Sequence, residues 1–334
     1  MMRRAPSFWY RTKREDTPAL EKMLNPFSAL YGLGHFINLK TTKKRSVKIP
    51  VICVGNIIAG GSGKTPALQS IHRLIEKHNL AKNPCFLSRG YGGMEIGPLK
   101  IDTQKNNALE VGDEPLLLAR QCPTIISRIR YKGGEYAQEL GHDIILMDDG
   151  MQNLSLHKDL TFLVINGSQG LGNGKLIPAG PLRETLDVGL RRANAVLFIG
   201  EDQRGIKEKI PSDVPVFEGK IVPKFTGNTS KTYYGFAGIG HPDKFLRTLE
   251  KNNIKLCGFK SFPDHHPYSD QDINTLYERA ARHNADLITT EKDHLRLSQK
   301  NQKKITAYPI AIEWNDEEKL AEFIKNALSG IAEE

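Results

Sequence analysis

The 334-residue chain has only four cysteines, and none are spaced as C-x-x-C. Cys53, Cys85, Cys122 and Cys257 are too scattered for a zinc site or a disulfide framework, and they suit a reducing compartment. No apolar run reaches the ~20 residues of a membrane-spanning helix. The N-terminus is basic but lacks the apolar stretch of a secretory signal, so a cytoplasmic location is expected. Repeats of fixed period and low-complexity tracts are also missing, which excludes solenoid and fibrous designs. Acidic excess is absent too: net charge is +9.

That charge is local. Residues 1–48 carry eleven Lys or Arg (Arg3, Arg4, Arg11, Lys13, Arg14, Lys22, Lys40, Lys43, Lys44, Arg45, Lys48) against Glu15, Asp16 and Glu21, a net of +8. A basic arm fits nucleic acid or an anionic membrane surface. Phe8, Trp9 and Tyr10 lie among these charges. After Pro26, the residues Phe27, Leu30, Tyr31, Leu33, Phe36 and Ile37 fall near helical spacing. An apolar helix face with basic flanks suits the headgroup region of a bilayer. Packing on the protein's own core is the alternative, and no nucleic-acid partner is expected.

The most specific stretch is residues 49–65. An apolar β-branched run enters a glycine-rich turn with Gly60, Gly61, Ser62, Gly63, Lys64, Thr65 and then Pro66. This is a phosphate-binding loop, in which backbone N–H groups and a helix N-terminus face phosphate oxygens. Lys64 is expected on the β/γ-phosphates and the Thr65 hydroxyl on Mg²⁺. Ile58 stands where the pattern's first glycine belongs, so Gly60 and Gly61 are expected to make the tight turn.

Beyond it, apolar strands at 84–88, 124–127, 143–149, 160–166 and 195–200 alternate with helices. This predicts an α/β fold, a mostly parallel sheet covered by helices. A second α/β pattern starts near 233 and includes one strand over 305–312 and a helix over 317–328. The expected organisation is a membrane-surface arm at 1–45, a phosphate-loop core at 46–200, a connection at 201–232 and a smaller α/β domain at 233–334.

Asp148 and Asp149 end a strand downstream of the phosphate loop, the usual place for the carboxylate that serves Mg²⁺. The pair makes this a nucleoside triphosphate enzyme. Asp113 and Glu114 begin a helix, where Asp113 either accepts a proton or caps the helix; spacing leaves both open. His265 and His266 lie in a turn-rich loop of the second unit, where a histidine is either a surface or structural residue or sits over the nucleotide when two units close on a cleft. Thr290-Glu291-Lys292-Asp293 ends a strand in charges that line the same cleft or start a helix. Arg89, Arg130 and Arg183 are candidates for anionic substrate groups. The long glycine/proline loop from Gly170 to Glu184 has ordered turn chemistry and no readable role.

In these motifs the chain resembles the tetraacyldisaccharide 4′-kinases of lipid A biosynthesis. The resemblance rests on Val54-Gly55-Asn56 with the phosphate loop, Ser88-Arg89-Gly90-Tyr91-Gly92, Val111-Gly112-Asp113-Glu114-Pro115 and Asp148-Asp149-Gly150-Met151-Gln152. It continues through Pro178-Ala179-Gly180-Pro181-Leu182-Arg183-Glu184, Phe262-Pro263-Asp264-His265 and Thr290-Glu291-Lys292-Asp293. That family's loop also lacks the first glycine. Asn153 departs from it, since a histidine often stands there. The resemblance implies transfer of the ATP γ-phosphate to the 4′-hydroxyl of a tetraacylated glucosamine disaccharide 1-phosphate. It also implies Mg²⁺ and a monotopic protein on the cytoplasmic face of the inner membrane. Asp113 matches the catalytic aspartate and His265 its partner; Glu114, Gln152 and Glu291 are carried as substrate or second-layer candidates. The rival reading is a P-loop ATPase coupled to a protein or DNA partner.

Overall fold

The computed structural model describes residues 6–10 and 19–332. Arg3, Arg4, Arg11, Lys13, Arg14, Glu15 and Asp16 of the expected arm lie outside them. Among the described residues two sheets form. The larger takes β1 (Val51–Gly55), β2 (Pro84–Ser88), β3 (Leu99–Lys100), β4 (Thr124–Ile126), β5 (Ile144–Asp148), β6 (Leu160–Asn166), β7 (Ala195–Ile199) and β8 (Val216–Pro223). The smaller takes β9 (Tyr233–Ala237), β10 (Leu256–Ser261), β11 (Asp286–Thr290) and β12 (Thr306–Tyr308), and β13 (Ile310–Trp314) returns to the larger. The order β13-β8-β7-β6-β1-β5-β2-β4-β3 is parallel except at its edges, where β3 opposes β4 and β13 opposes β8. This is the expected α/β class.

In chain order the helices are α1 (Ala19–Thr41), α2 (Lys64–Lys77), α3 (Ala108–Val111), α4 (Asp113–Ala119), α5 (Arg130–Glu139) and α6 (Leu186–Leu190). Then come α7 (Pro242–Lys251), α8 (Asp270–Ala281), α9 (Glu291–Leu295), α10 (Gln299–Gln302) and α11 (Glu317–Ala332). Leu68, Ile71, Leu74 and Ile75 form one face of α2 and bury against Phe86, Phe162, Trp314, Leu320 and Ile324. Each such side chain contributes roughly 1.5–3 kcal/mol by leaving water. β1 lies between β5 and β6, with Val54 opposite both Asp148 and Phe162. That register brings the phosphate loop and the Asp148–Asp149 pair to the same sheet edge, where open α/β sheets bind ligands.

Three expected boundaries differ. Residues 201–232 are not only a connection, since β8 pairs with β7 inside the large sheet. The run 305–312 is not one strand: Pro309 separates β12, in the small sheet, from β13, which pairs with β8. The amphipathic α11 follows β13 and covers the large sheet through Leu320, Ala321 and Ile324. The α1 helix begins before Pro26, which sits within it. It has an unusual polarity. Its buried residues are Glu21 and Ser28, while Leu20, Met23, Phe27, Leu30, Leu33, Phe36 and Ile37 are each at least half exposed. Among the described residues no helix is long and apolar enough to cross a membrane.

Candidate active site

The phosphate loop joins β1 to α2. Gly60 and Gly63 have φ of 112° and 91°, so the turn needs glycine at both. Ile58 is buried and bridges Leu182, so the missing glycine is replaced by a packed anchor. Asn56 Nδ2 donates to Ser62 Oγ at 2.5 Å and ties the loop's two ends. Lys64 Nζ lies 3.5 Å from Gly60 O and 3.6 Å from Asp149 Oδ2, folded over the space its own loop encloses. Thr65 is buried at the first turn of α2.

Asp148 and Asp149 differ. Asp149 sits at φ 46°, a left-handed conformation costly for aspartate, and accepts from Arg183 Nη1 at 2.9 Å on both oxygens. Asp148 is buried, and its Oδ1 has no hydrogen-bond partner among the described residues. Burial first, then repulsion from Glu114 and Asp149, pushes its carboxyl up to about 7. A buried carboxylate under that strain suits a cation beside it. Among the described residues no three His, Cys, Asp or Glu side chains converge on one point. The unpartnered Asp148 Oδ1 and the buried Thr65 hydroxyl fit Mg²⁺ as nucleotide sites hold it, by few protein groups plus phosphates and water.

The third group spans the two sheets. His265 Nδ1 is 2.7 Å from Asp113 Oδ2. Arg296, at the C-cap of α9, donates Nε to the same oxygen at 2.8 Å, and its Nη2 also bonds it. Arg296 Nη1 reaches Gly238 O at 2.8 Å and Asp293 Oδ1 at 2.9 Å. Lys292 pairs with Glu114. Three basic side chains from the second unit thus meet the two carboxylates that open α4. Among the described residues no hydrogen bond reaches Asp113 Oδ1, so one oxygen is held and the other is left as an acceptor. Burial raises the Asp113 carboxyl, but hydrogen bonds from His265 and Arg296 outweigh it and hold the carboxyl below its ordinary value. The hydrogen bond to Asp113 raises His265. Lys292 draws Glu114 down to about 2, with Lys64 adding to the effect. The fields of Lys64, Asp148 and Glu114 therefore overlap, placing this pair beside the phosphate loop.

His265 adopts φ 56°, strained for a residue with a Cβ, and its backbone N–H donates to Gly238 O at 3.0 Å. Gly112, the N-cap of α4, has φ 91°, and a Cβ there would lie 2.4 Å from Tyr91 O. Gly112→Ala must shift α4 and with it Asp113. A displacement near 1 Å is expected to lower kcat by about 10²-fold, with nucleotide affinity nearly unchanged. Equal losses in both would mean that the phosphate loop, not Asp113, had moved.

The remaining candidates separate. Gln152 Nε2 donates to Asn56 O at 2.8 Å and to Glu184 Oε1 at 2.7 Å, and Arg183 donates to Gln152 Oε1 at 3.1 Å, so both join the site. Arg130 is buried against Ser127 O, with Asp148 near enough to feel its charge. Arg89 is exposed beyond β2. Glu291 turns away toward Arg120 and the Ile310 amide, and burial raises its carboxyl. His266 bonds Asp272 at 3.1 Å, and Thr290 caps α9 through the Asp293 amide at 3.1 Å; both are structural. Sequence reasoning missed Arg296 and Glu184. Neither has a local signal, because each acts on a partner distant in the chain.

A family model described as tetraacyldisaccharide-1-P 4′-kinase matches residues 20–329. The tetraacyldisaccharide 4′-kinase of Paramagnetospirillum magneticum is 42% identical over 315 residues, 93% of this chain and 95% of that protein. That of Rhodospirillum centenum is 39% identical over 330 residues, covering 98% and 97%. Among solved structures, LpxK from Aquifex aeolicus in complex with ATP superposes with a TM-score of 0.76 at 30% identity, over 92% of this chain and 99% of that one.

Proposed function

We infer the roles of individual residues from one premise: the chain belongs to the tetraacyldisaccharide 4′-kinase family. It is an ATP-dependent kinase of lipid A synthesis that uses ATP with Mg²⁺ to phosphorylate the 4′-hydroxyl of an acylated disaccharide phosphate. The rival reading, an ATPase coupled to a protein or DNA, is not favoured.

Asp113 is the proton acceptor, a reading supported by the hydrogen bonds of His265 and Arg296 to Oδ2, with none reaching Oδ1 among the described residues. The acceptor hydroxyl hydrogen-bonds to Oδ1, its oxygen forms a bond to the γ-phosphorus, the bridging P–O bond to ADP breaks, and the proton passes to Asp113. His265 orients the carboxylate and shares its charge, and the second unit must be docked for this to happen. Residues 60–66 cradle the phosphates, with Lys64 balancing their charge. Thr65 and Asp148 would hold Mg²⁺, which when bound neutralises charge on the β- and γ-phosphates. Asp149 serves that shell indirectly, because Arg183 and Lys64 already engage it. Glu114 and Lys292 fix the cleft, while Gln152 and Arg183 brace the loop. Arg130 backs Asp148, and the exposed Arg89 is the candidate contact for a substrate phosphate. The test is transfer of labelled γ-phosphate from ATP to tetraacyldisaccharide 1-phosphate in detergent. Hydrolysis of ATP without transfer would mean that a different acceptor is used.

The α1 face docks on the cytoplasmic surface of the inner membrane, keeping the substrate's acyl chains in the bilayer while the sugar reaches Asp113. Trp9 and Tyr10, whose side chains bond Pro178 O at 3.1 Å and Ala59 O at 3.4 Å, hold the start of the arm on the core. Replacing Phe27, Leu30 and Phe36 together with serine is expected to release the protein from anionic vesicles. The KM for lipid should rise about tenfold or more, with the affinity for ATP in the absence of any lipid surface unchanged. Retained vesicle binding would place the membrane contact elsewhere.

A further inference from the structure

Glu21, Ser28 and His35 recur every seventh residue of α1, so they share one stripe, opposite the apolar face. All three grip one segment. Glu21 pairs with Lys175 Nζ at 2.9 Å. Ser28 Oγ donates to Leu176 O at 2.8 Å and accepts from Ala179 N at 3.0 Å. His35 Nε2 lies 3.4 Å from Glu184 Oε2. The other edge of this segment is bonded to the phosphate loop. Pro181 O accepts from Ala59 N at 2.8 Å, Arg183 N donates to Ile57 O at 2.7 Å, and Leu182 bridges Ile58. The buried Glu184 continues through Gln152 and Arg183 to Asp149 and Lys64.

The α1 helix is 23 residues long, and its apolar side chains are at best half-buried, at Leu24, Tyr31 and Leu39, so hydrophobic packing holds it only weakly to the core. Elements so held lie at the low-stability end of a fold. A bilayer supplies the missing apolar contact and fixes the helix axis. The polar stripe then holds residues 175–184 against Ile57–Ala59, keeping the loop's amides aimed at phosphate.

We propose that residues 175–184 couple the seating of α1 on a lipid surface to ATP binding, with Ser28 and His35 as positioning residues. This rests on the membrane reading above. Coupling of this kind is reciprocal: lipid tightens nucleotide, and nucleotide tightens lipid.

The test is the affinity of a non-hydrolysable ATP analogue with Mg²⁺, measured on the full chain with and without phosphatidylglycerol vesicles, beside vesicle sedimentation. The wild type should bind about fivefold tighter or more with vesicles present. Ser28→Ala/His35→Ala should sediment equally and match the wild type without vesicles, but lose the tightening. His35→Gln keeps a donor for Glu184 and should retain it. A wild type that sediments yet shows no tightening overturns the coupling alone, as does a double variant that keeps it. A wild type that does not sediment overturns the membrane reading and the coupling with it.

Discussion

Asp113→Asn is expected to lower kcat for phosphoryl transfer by about 10²–10⁴-fold, with ATP affinity within a few-fold of wild type. The amide fits the same space but cannot accept the hydroxyl proton, and one of its atoms now presents N–H groups to His265 or Arg296. Labelled-phosphate transfer with a separate nucleotide titration distinguishes the two effects. Loss of ATP binding in this variant would remove Asp113 from the role of base.

The pH profile follows from the same pair. The Asp113 carboxyl is held below its ordinary value, so it stays ionised throughout the neutral range. His265 is raised above its ordinary value near 6.5. The stability gained from its protonated form is complete below the unfolded-state value and is lost as pH rises through the higher native one. Above the ordinary imidazole range, the titrating member of the pair is therefore His265. His265→Gln should keep a hydrogen bond to Asp113 and flatten the pH dependence of kcat/KM where His265 loses its proton, above the ordinary imidazole value. An unchanged profile would assign the titration to another group.

Arg296→Met carries the largest expected stability cost. Arg296 is buried between Asp113 and Asp293, both also buried, and bonds Gly238 O as well. Removing it leaves two carboxylates without their cation. Breaking a buried pair from one side costs about 3–5 kcal/mol, a fall in Tm on the order of 10 °C for a chain of this size. Activity should fall with it, because Asp113 loses the contact that fixes Oδ2. Arg296→Lys restores charge without the planar fork, so partial recovery is expected. A thermal melt of Arg296→Met that matches the wild type would show that the carboxylates are neutralised by protonation instead.

Much of the site was legible in the chain. Gly60, Gly63, Lys64 and Thr65 were readable together because the proposed phosphate cradle is one short loop whose tight turns need glycine. Asp148 and Asp149 were readable because an apolar strand that ends in two acids delivers them to a sheet edge. The alternation of strands and helices was visible by the same logic, since local apolar periodicity reports which face is buried. The outward apolar face of α1 also follows from residue spacing, although spacing could not say which face the core would take.

Other features needed the tertiary structure. A strand's sheet membership depends on partners far along the chain, so the break at Pro309 and the return of β13 to β8 were not legible. The joint grip of Arg296 and His265 on Asp113 joins residues separated by more than 150 positions. The Gly170–Glu184 loop had turn chemistry but no role until α1 and the phosphate loop were seen on its two edges. The sequence by itself determined the local devices: the phosphate cradle, the carboxylate strand end and the amphipathic helix. Each is fixed by backbone conformation and short-range patterning. The tertiary structure alone decided which devices meet, because long-range contacts depend on chain closure and on burial that no local window contains.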